Sequence, residues 1–344
     1  MKLSVIIPIY NTPKNLLDHC IKSIKENIKN MGNDVEIFLI NDGSTNPHIE
    51  PILKGIEYAD SRFKYIYKSN SGVSDTRNFG IKMAQGEYIT FIDSDDYLEP
   101  DALQYMVKET CNQKADFAIF GWCKDDNRIN CDRFKKVYRN EEKKDALLAI
   151  SGLKYNLRPY AINMNIPGGK LFRRSFLEKH HLRYNQFIKF GEDAFFNFCN
   201  ITFADCVYID NKLVIHYVSN DSSATKKFSD QHIKNLPILL NTWEDFICKH
   251  FSQDKMVYHT LSFISLLHIR EIRAQYFTHP NNSKSFFELK SELHSFLYQP
   301  TINKWIKEMR LSDAKNIIDL KNILLLKIHL YWIYLITERK KRKL

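Results

Sequence analysis

At 344 residues the chain is long enough for one well-packed domain of about 200 to 250 residues plus an appendage of about 100. Its 44% hydrophobic and 13% aromatic content is that of a globular protein, and no stretch is polar or repetitive enough to stay disordered. A net charge of +10 calls for an anionic partner, leaving open nucleic acid, acidic lipid or phosphate groups, while seven cysteines without a C-x-x-C pair give no sign of a disulfide framework or zinc site and fit a reducing cytosol.

No long apolar leader or small-residue cleavage site follows Met1, so the mature chain is expected to start near it. Residues 3–8 read as a buried strand, and residues 13–29 follow with helical spacing. The strand signal returns at residues 35–41 and ends in Asp42-Gly43-Ser44-Thr45, a turn followed by a helix start. A third strand is expected at residues 62–67. Ser71-Gly72 opens a helix over residues 73–85, Gly86 closes it, and residues 87–93 form a fourth strand ending in Asp93-Ser94-Asp95-Asp96. Pro100 starts the next helix, residues 116–122 form another buried strand, and residues 122–139 follow no regular pattern, as a loop or hairpin would. This alternation predicts an α/β fold with a mostly parallel sheet, which binds ligands at the carboxyl ends of its strands. Both acidic clusters fall there.

Residues 231–340 carry helical periodicity, few glycines and no strand signal. Their last apolar helix, residues 322–337, is interrupted by Lys327 and His329 and is shorter than the roughly 20 apolar residues of a spanning helix. Tyr331, Trp332 and Tyr334 precede a basic cluster at 339–343. Two readings fit: a helix at an anionic membrane interface, or a buried terminal helix with a solvated tail.

Asp93 and Asp95 flank Ser94 just after a buried strand, and such a pair can hold a divalent cation; hard oxygen ligands favour Mg²⁺ or Mn²⁺. An isolated Asp-x-Asp is more often a solvated acidic loop. Asp42 reads either as a turn and helix cap or as an acceptor for a pyrimidine N–H or ribose hydroxyl. Glu192-Asp193 either complements a helix dipole or supplies a carboxylate that takes a proton from a hydroxyl.

The order of the motifs separates these readings. Ser4-Val5-Ile6-Ile7-Pro8-Ile9-Tyr10-Asn11, then Asn41-Asp42-Gly43-Ser44-Thr45, then Asn70-Ser71-Gly72 with Arg77-Asn78, then Gly86-Glu87-Tyr88 leading into Asp93-Ser94-Asp95-Asp96, resembles glycosyltransferase family 2 on a GT-A fold. The resemblance covers about the first 220 residues and is tight over the first 105. It makes 1–220 a nucleotide-sugar-binding catalytic domain; the helical region, 221–344, lies beyond the resemblance and is expected to contact a membrane or pair two chains. It implies Pro8, Tyr10 and Asp42 at the nucleobase and ribose, with Asn70 and Ser94 in the donor site and Arg77 approaching the base. It further implies Asp93 on the ribose or sugar and Asp95, with Asp93, on the metal. Asp193 is implied as general base, with Glu192 orienting the site or the acceptor.

Gly168-Gly169-Lys170-Leu171-Phe172 resembles a family stretch in which an Asn or Cys often precedes the lysine; Lys170 either meets the donor phosphates or is a surface lysine. The family can also supply a late histidine to the metal or a serine to the donor, at His216 and Ser222-Ser223, although a lone histidine after a strand is more often structural.

No Gln-x-x-Arg-Trp and no series of spanning helices stands in the chain, which disfavours processive synthases. Dinucleotide and Walker motifs and the Gly-rich loop of nucleotidyltransferases are missing too, and no basic patch is interleaved with stacking aromatics, which disfavours nucleic acid. The resemblance thus implies an inverting, metal-dependent transferase that moves a sugar, from a UDP-sugar donor, to a glycan or lipid-linked acceptor in surface polysaccharide assembly. Its implied place is the cytoplasm, peripheral on the inner membrane face, and the loop at 122–139 would face the acceptor. The alternative is a catalytically inactive nucleotide-sugar-binding or membrane-associated scaffold.

Overall fold

β1 (Leu3–Ile9) and β2 (Val35–Asp42) are mostly apolar because both faces of their sheet are covered; Leu3, Val5, Ile6, Ile7 and Ile9 are inaccessible and every residue of β2 is buried. The computed structural model describes residues 2–128, 131–151, 162–163, 165–220, 228–251 and 254–342. The chain divides into two units, one of Met1–Ile150, Asn156–Gln186 and Glu192–Ser219, the other of Ser151–Tyr155, Phe187–Gly191 and Asn220–Leu344.

In the first unit α1 (Lys14–Ile28) joins β1 to β2 and buries Leu17, Cys20, Ile21, Ile24 and Ile28, the spacing of one helical face. α2 (Ile49–Ala59), β3 (Phe63–Lys68), α3 (Val73–Met83) and β4 (Tyr88–Phe91) continue the alternation. β5 (Tyr97–Leu98), α4 (Ala102–Gln113), β6 (Phe117–Lys124), β7 (Lys135–Tyr138), α5 (Lys143–Ser151), β8 (Lys170–Arg173), α6 (Arg174–Lys179), α7 (Glu192–Phe203) and β9 (Val207–Tyr217) complete it. The strands form one sheet in the order β3-β2-β1-β4-β8-β6-β9-β5, with β7 on β9. β3, β2, β1 and β4 are mutually parallel, as are β6 and β9; β8, β5 and β7 run antiparallel to their neighbours. This is the α/β architecture the strand and helix alternation predicts.

The expected loop or hairpin at 122–139 is corrected in part. β6 runs on to Lys124, and Lys135–Tyr138 is a strand on β9 rather than the return arm of a hairpin with β6. Lys135-Lys136-Val137-Tyr138 has too little apolar alternation to announce a strand; its neighbour supplies the order.

Glu36 shows how buried polarity fixes this sheet. It is 1% exposed, and its carboxylate accepts from Ser4 Oγ (2.7 Å), the Gln85 amide (2.7 Å) and Lys64 Nζ (2.6 Å). Ser4 Oγ in turn accepts from the Gly86 amide at 2.9 Å. A Cβ on Gly86 would stand 2.6 Å from Ser4 N, so only glycine lets the chain enter β4 so close to β1. Burial alone would raise the Glu36 pKa, but the bonds from Lys64, Gln85 and Ser4 outweigh it and hold it below the usual range.

In the helical unit α8 (Gln231–Phe251) packs along α9 (Lys255–Ile272), followed by α10 (Phe286–Leu297), α11 (Pro300–Glu308), α12 (Ile317–Lys327) and α13 (Ile333–Arg342). Asp254 caps α9 through Met256 N and Val257 N, and Ser285 with Glu288 forms a capping box on α10. The single helix expected over residues 322–337 is two helices. Leu330 N bonds Leu325 O (2.9 Å), His329 N bonds Leu326 O (3.2 Å), and His329 takes φ 59°. That closure usually uses glycine, so the sequence carried no stop signal. Among the described residues no helix is long and apolar enough to cross a membrane. Ser222-Ser223 and the side chains of the basic cluster at 339–343 lie outside the described residues.

Glu36→Gln puts an amide N–H₂ among donors and should cost about 1–3 kcal/mol near neutral pH. A depressed native pKa contributes stability above the ordinary carboxylate value and loses it as pH falls through the native one, so the gap from wild type should shrink in acid. Urea unfolding at pH 7 and pH 3.5 measures both; an equal gap at the two values would contradict this role.

Candidate active site

The carboxyl edge of β1, β2 and β3 is tied into one surface by side chains that cap loops. Asn11, at φ 51°, accepts from Thr45 N (2.9 Å) and Asn46 N (3.0 Å) through its side-chain oxygen, and its own amide donates to Ser44 Oγ (3.0 Å). Pro8 lies in β1, Tyr10 just past it with its ring half-exposed, and Asn70 is exposed on the loop before α3.

Asp42 ends β2 and is buried. Oδ1 accepts from Lys68 Nζ (2.6 Å) and Ser71 N (3.0 Å); Oδ2 accepts from Gly72 N (2.9 Å) and Asn70 Nδ2 (3.3 Å). These four donors fill the lone-pair sites of a carboxylate. Asp42 therefore organises the 70–72 loop at the start of α3, and any ligand N–H or hydroxyl reaching it must displace one of them. Lys68 is the most movable, since it also bonds Ser71 and pairs with Asp75 at 3.1 Å. Gly43 takes φ 68°, and a Cβ there would meet Asn70 N at 2.7 Å. The sequence reading missed Lys68, because an end-of-strand lysine has no distinguishing neighbours.

Arg77 joins the two acidic motifs. On α3, with its side chain 3% exposed, it donates from Nη2 to Asp93 Oδ1 (2.9 Å) and from Nη1 to Asp193 Oδ1 (2.8 Å) and Glu192 Oε1 (3.4 Å). Its guanidinium lies 5.1 Å from the centre of the Tyr184 ring, which stacks on Phe196 at 4.0 Å. Against burial, which disfavours the charge, Asp193 and Asp93 hold Arg77 charged far above its usual range. Burial pushes the Asp193 carboxyl well up despite Arg77, and it raises Glu192 as well. The resemblance sends Arg77 towards the nucleobase; here its hydrogen bonds go to carboxylates.

Asp93 follows β4 by two residues and, with its side chain 29% exposed, is the most accessible member of the network. Ser94 is buried and shares a 2.6 Å hydrogen bond with Thr12. Asp96 is buried too, accepts from Val218 N at 3.0 Å, and has its carboxyl raised by burial and by the charges of Asp93 and Asp95. Those hard-oxygen acids are the ligand type that Mg²⁺ or Mn²⁺ takes, but among the described residues the groups of three or more whose ligand atoms converge closely enough for one ion lie elsewhere.

His216 on β9 sits in another cluster: Nε2 faces Glu99 at 2.5 Å, Nδ1 faces Asp126 at 2.8 Å and Cys123 Sγ at 3.1 Å, and the ring stacks on Tyr97 at 4.3 Å. Cys123, Asp126 and His216 together could hold one ion. Sequence spacing gave no signal for Glu99 or Cys123.

Lys170 is not the surface lysine that one reading allowed. It is fully buried at the start of β8, donates to the carbonyls of Asn163 (2.6 Å) and Gly168 (3.0 Å), and burial, only partly offset by Asp193, pulls its pKa down to about 7.

The family described as Glycosyl transferase family 2 has a model that matches residues 4–180. The chain is 32% identical over 235 residues to EpsH of Bacillus subtilis (strain 168), covering 66% of this chain and 63% of EpsH. It is 29% identical over 238 residues to Glycosyltransferase GlyA of Streptococcus pneumoniae serotype 4, covering 67% of this chain and 32% of GlyA. In fold it is similar to residues 1–349 of S. aureus TarS in complex with UDP, with a TM-score of 0.64 at 17% identity, over 100% of this chain and 92% of that one. The same TarS segment with UDP-GlcNAc aligns with a TM-score of 0.54 at 17% identity, again over 100% and 92%.

Arg77→Ala would leave Asp93, Glu192 and Asp193 without their shared cation, a loss of about 3–5 kcal/mol when one partner of a buried pair is removed. The raised carboxyls of Glu192 and Asp193 hold protons more tightly than the unfolded chain does, so their contribution to stability falls as pH rises from the ordinary carboxylate range. The Arg77→Ala penalty should therefore be smaller at pH 5 than at pH 8 in urea titrations. A penalty independent of pH would mean that the three acids are not coupled through Arg77.

Proposed function

Because the chain belongs to glycosyl transferase family 2, we propose that it transfers a sugar, with inversion, from a uridine diphosphate sugar to a hydroxyl of a glycan or lipid-linked acceptor in surface polysaccharide assembly. The observation that carries this reading is the Arg77 network, which brings the Asp-x-Asp strand end and the Glu-Asp helix start to one guanidinium. The fold's similarity to TarS in complexes with UDP and UDP-GlcNAc supports the choice of donor. The proposed setting is cytoplasmic.

Asp193 acts as the base. The acceptor oxygen forms a bond to the anomeric carbon as its proton passes to the Asp193 carboxylate, the bond from that carbon to the diphosphate breaks, and the nucleoside diphosphate leaves with the electron pair. A carboxyl raised by burial is a stronger base than an exposed one and lies nearer the pH at which it must work. Arg77 holds Asp193 in place and keeps part of its population ionised. Glu192 shares the same cation and orients the acceptor side. Asp93 reaches the donor's ribose or sugar, Tyr10 offers its half-exposed ring to the base, and Asp42 holds the 70–72 loop in register with them. Mg²⁺ or Mn²⁺ would be held by Asp95 with Asp93 and would supply Lewis-acid neutralisation of the departing diphosphate.

Asp193→Asn should reduce transfer by about 10²–10⁴-fold while leaving donor binding intact, measured as released UDP and by calorimetry on the same preparation. Wild-type turnover would remove Asp193 as base. In the wild type, transfer should rise with pH through a midpoint above the ordinary carboxylate range, since only ionised Asp193 accepts the proton. A flat profile across pH 5 to 8 with chemistry rate-limiting would contradict the assignment.

A further inference from the structure

The helical unit contains a cavity of about 380 Å³ walled by α10, α11, α12 and the turn before α13. Its floor is apolar, with Leu293, Leu297, Ile306 and Leu326. Its other lining carries Lys290, Lys307 and Lys327 with His294 and His329, and no aspartate or glutamate. Among the described residues none of the three lysines forms an ion pair: Lys327 Nζ bonds the Lys307 carbonyl at 3.1 Å, and Lys290 Nζ stands 4.3 Å from the centre of the Trp332 ring. Three cations gathered at an apolar hollow, unanswered by acid, are complementary to an amphiphile with an anionic head.

The surrounding surface identifies where such an amphiphile would come from. His329, in the left-handed conformation that ends α12, is placed by a hydrogen bond between its Nδ1 and Tyr298 Oη (2.9 Å). Its two neighbours in the chain, Ile328 and Leu330, are 55% and 37% exposed. Exposed aliphatic side chains beside unpaired lysines and a tryptophan form a surface suited to the headgroup and acyl boundary of an anionic leaflet.

We propose that this cavity binds an anionic phospholipid of a membrane surface, its phosphate among Lys290, Lys307 and Lys327 and part of an acyl chain against the leucine and isoleucine floor, while Ile328 and Leu330 enter the bilayer. The proposal rests on the helical unit alone and stands or falls independently of the transfer chemistry. It locates the contact in the α12 to α13 turn and the lysines around it, not in the terminal basic cluster.

The test is co-sedimentation of the full chain with vesicles of phosphatidylcholine alone and of phosphatidylcholine with phosphatidylglycerol. The chain should bind the anionic vesicles and not the neutral ones. Each lysine near an anionic surface contributes about fivefold to binding, so Lys290→Ala/Lys307→Ala/Lys327→Ala should lower partitioning roughly a hundredfold at an unchanged melting temperature. As a charge-matched control, Lys22→Ala/Lys25→Ala/Lys29→Ala, on α1 and at its C-terminal cap, should leave partitioning within a few fold of wild type. Equal losses from the two triple variants would show attraction to net charge only and overturn the site. Absence of binding to anionic vesicles overturns it without any variant. Stabilisation by inorganic phosphate without vesicle binding would assign the lysines to a soluble anion instead. A concentration-dependent dimer abolished by Ile328→Ser/Leu330→Ser, with no vesicle binding, would assign the surface to a second copy of the chain.

Discussion

Arg77 carries a positive charge where water barely reaches it, and a guanidinium cannot release its proton to escape the desolvation cost. It is tolerable there only because Asp93, Asp193 and Glu192 converge on it from sequence positions 16 to 116 residues away. The dependence is mutual. Burial drives Asp193 and Glu192 towards their neutral forms, and the guanidinium is the group that opposes this most strongly. The protonation state of the proposed base is therefore a balance between its burial and one side chain on α3, which also ties down the start of the helix that carries it. A residue that the motif order marks for a ligand contact ties the acid that follows β4 to the two acids at the start of α7.

The same logic applies at Asp42. Its carboxylate is already saturated, so its first contribution is to hold the backbone of residues 70–72 against the end of β2, with Lys68 as the partner that can yield. A ligand that reached Asp42 would displace Lys68 towards Asp75 and Ser71, both of which it already contacts. The site is preorganised by hydrogen bonds within the protein, and a ligand exchanges some of them for its own rather than filling a vacant set of acceptors.

Much of the fold was legible in the sequence because buried parallel strands cannot disguise themselves. Ile37, Phe38, Leu39 and Ile40 at the centre of β2 have to be apolar when both faces are covered, and turn chemistry at Gly43, Gly72 and Gly86 marks where the chain reverses. What stayed hidden was held by partners rather than by local pattern. β7 is a strand because β9 offers it a ladder, and α12 stops at Lys327 because His329 adopts a conformation normally left to glycine. The acidic residues of the candidate site could be chosen from motif order, but their connection could not, since no spacing rule joins residue 77 to residue 193. Lys170 shows the limit from the other side: nothing in Gly-Gly-Lys-Leu-Phe reveals that the ammonium is sealed against two carbonyls with its pKa near 7.

The central claim is that the carboxyl edge of the sheet is a nucleotide-sugar donor site assisted by a divalent cation. Thermal unfolding of the full chain in the presence of UDP-, GDP-, CDP- and dTDP-sugars, each with Mn²⁺ and with a chelator, tests it directly, because a ligand bound only to the native state raises the melting temperature. The expected result is a shift with uridine nucleotides that requires Mn²⁺ and is missing for the other bases. Folded protein that shows no shift with any nucleotide, with or without metal, would contradict the donor site and favour an inactive member of the family.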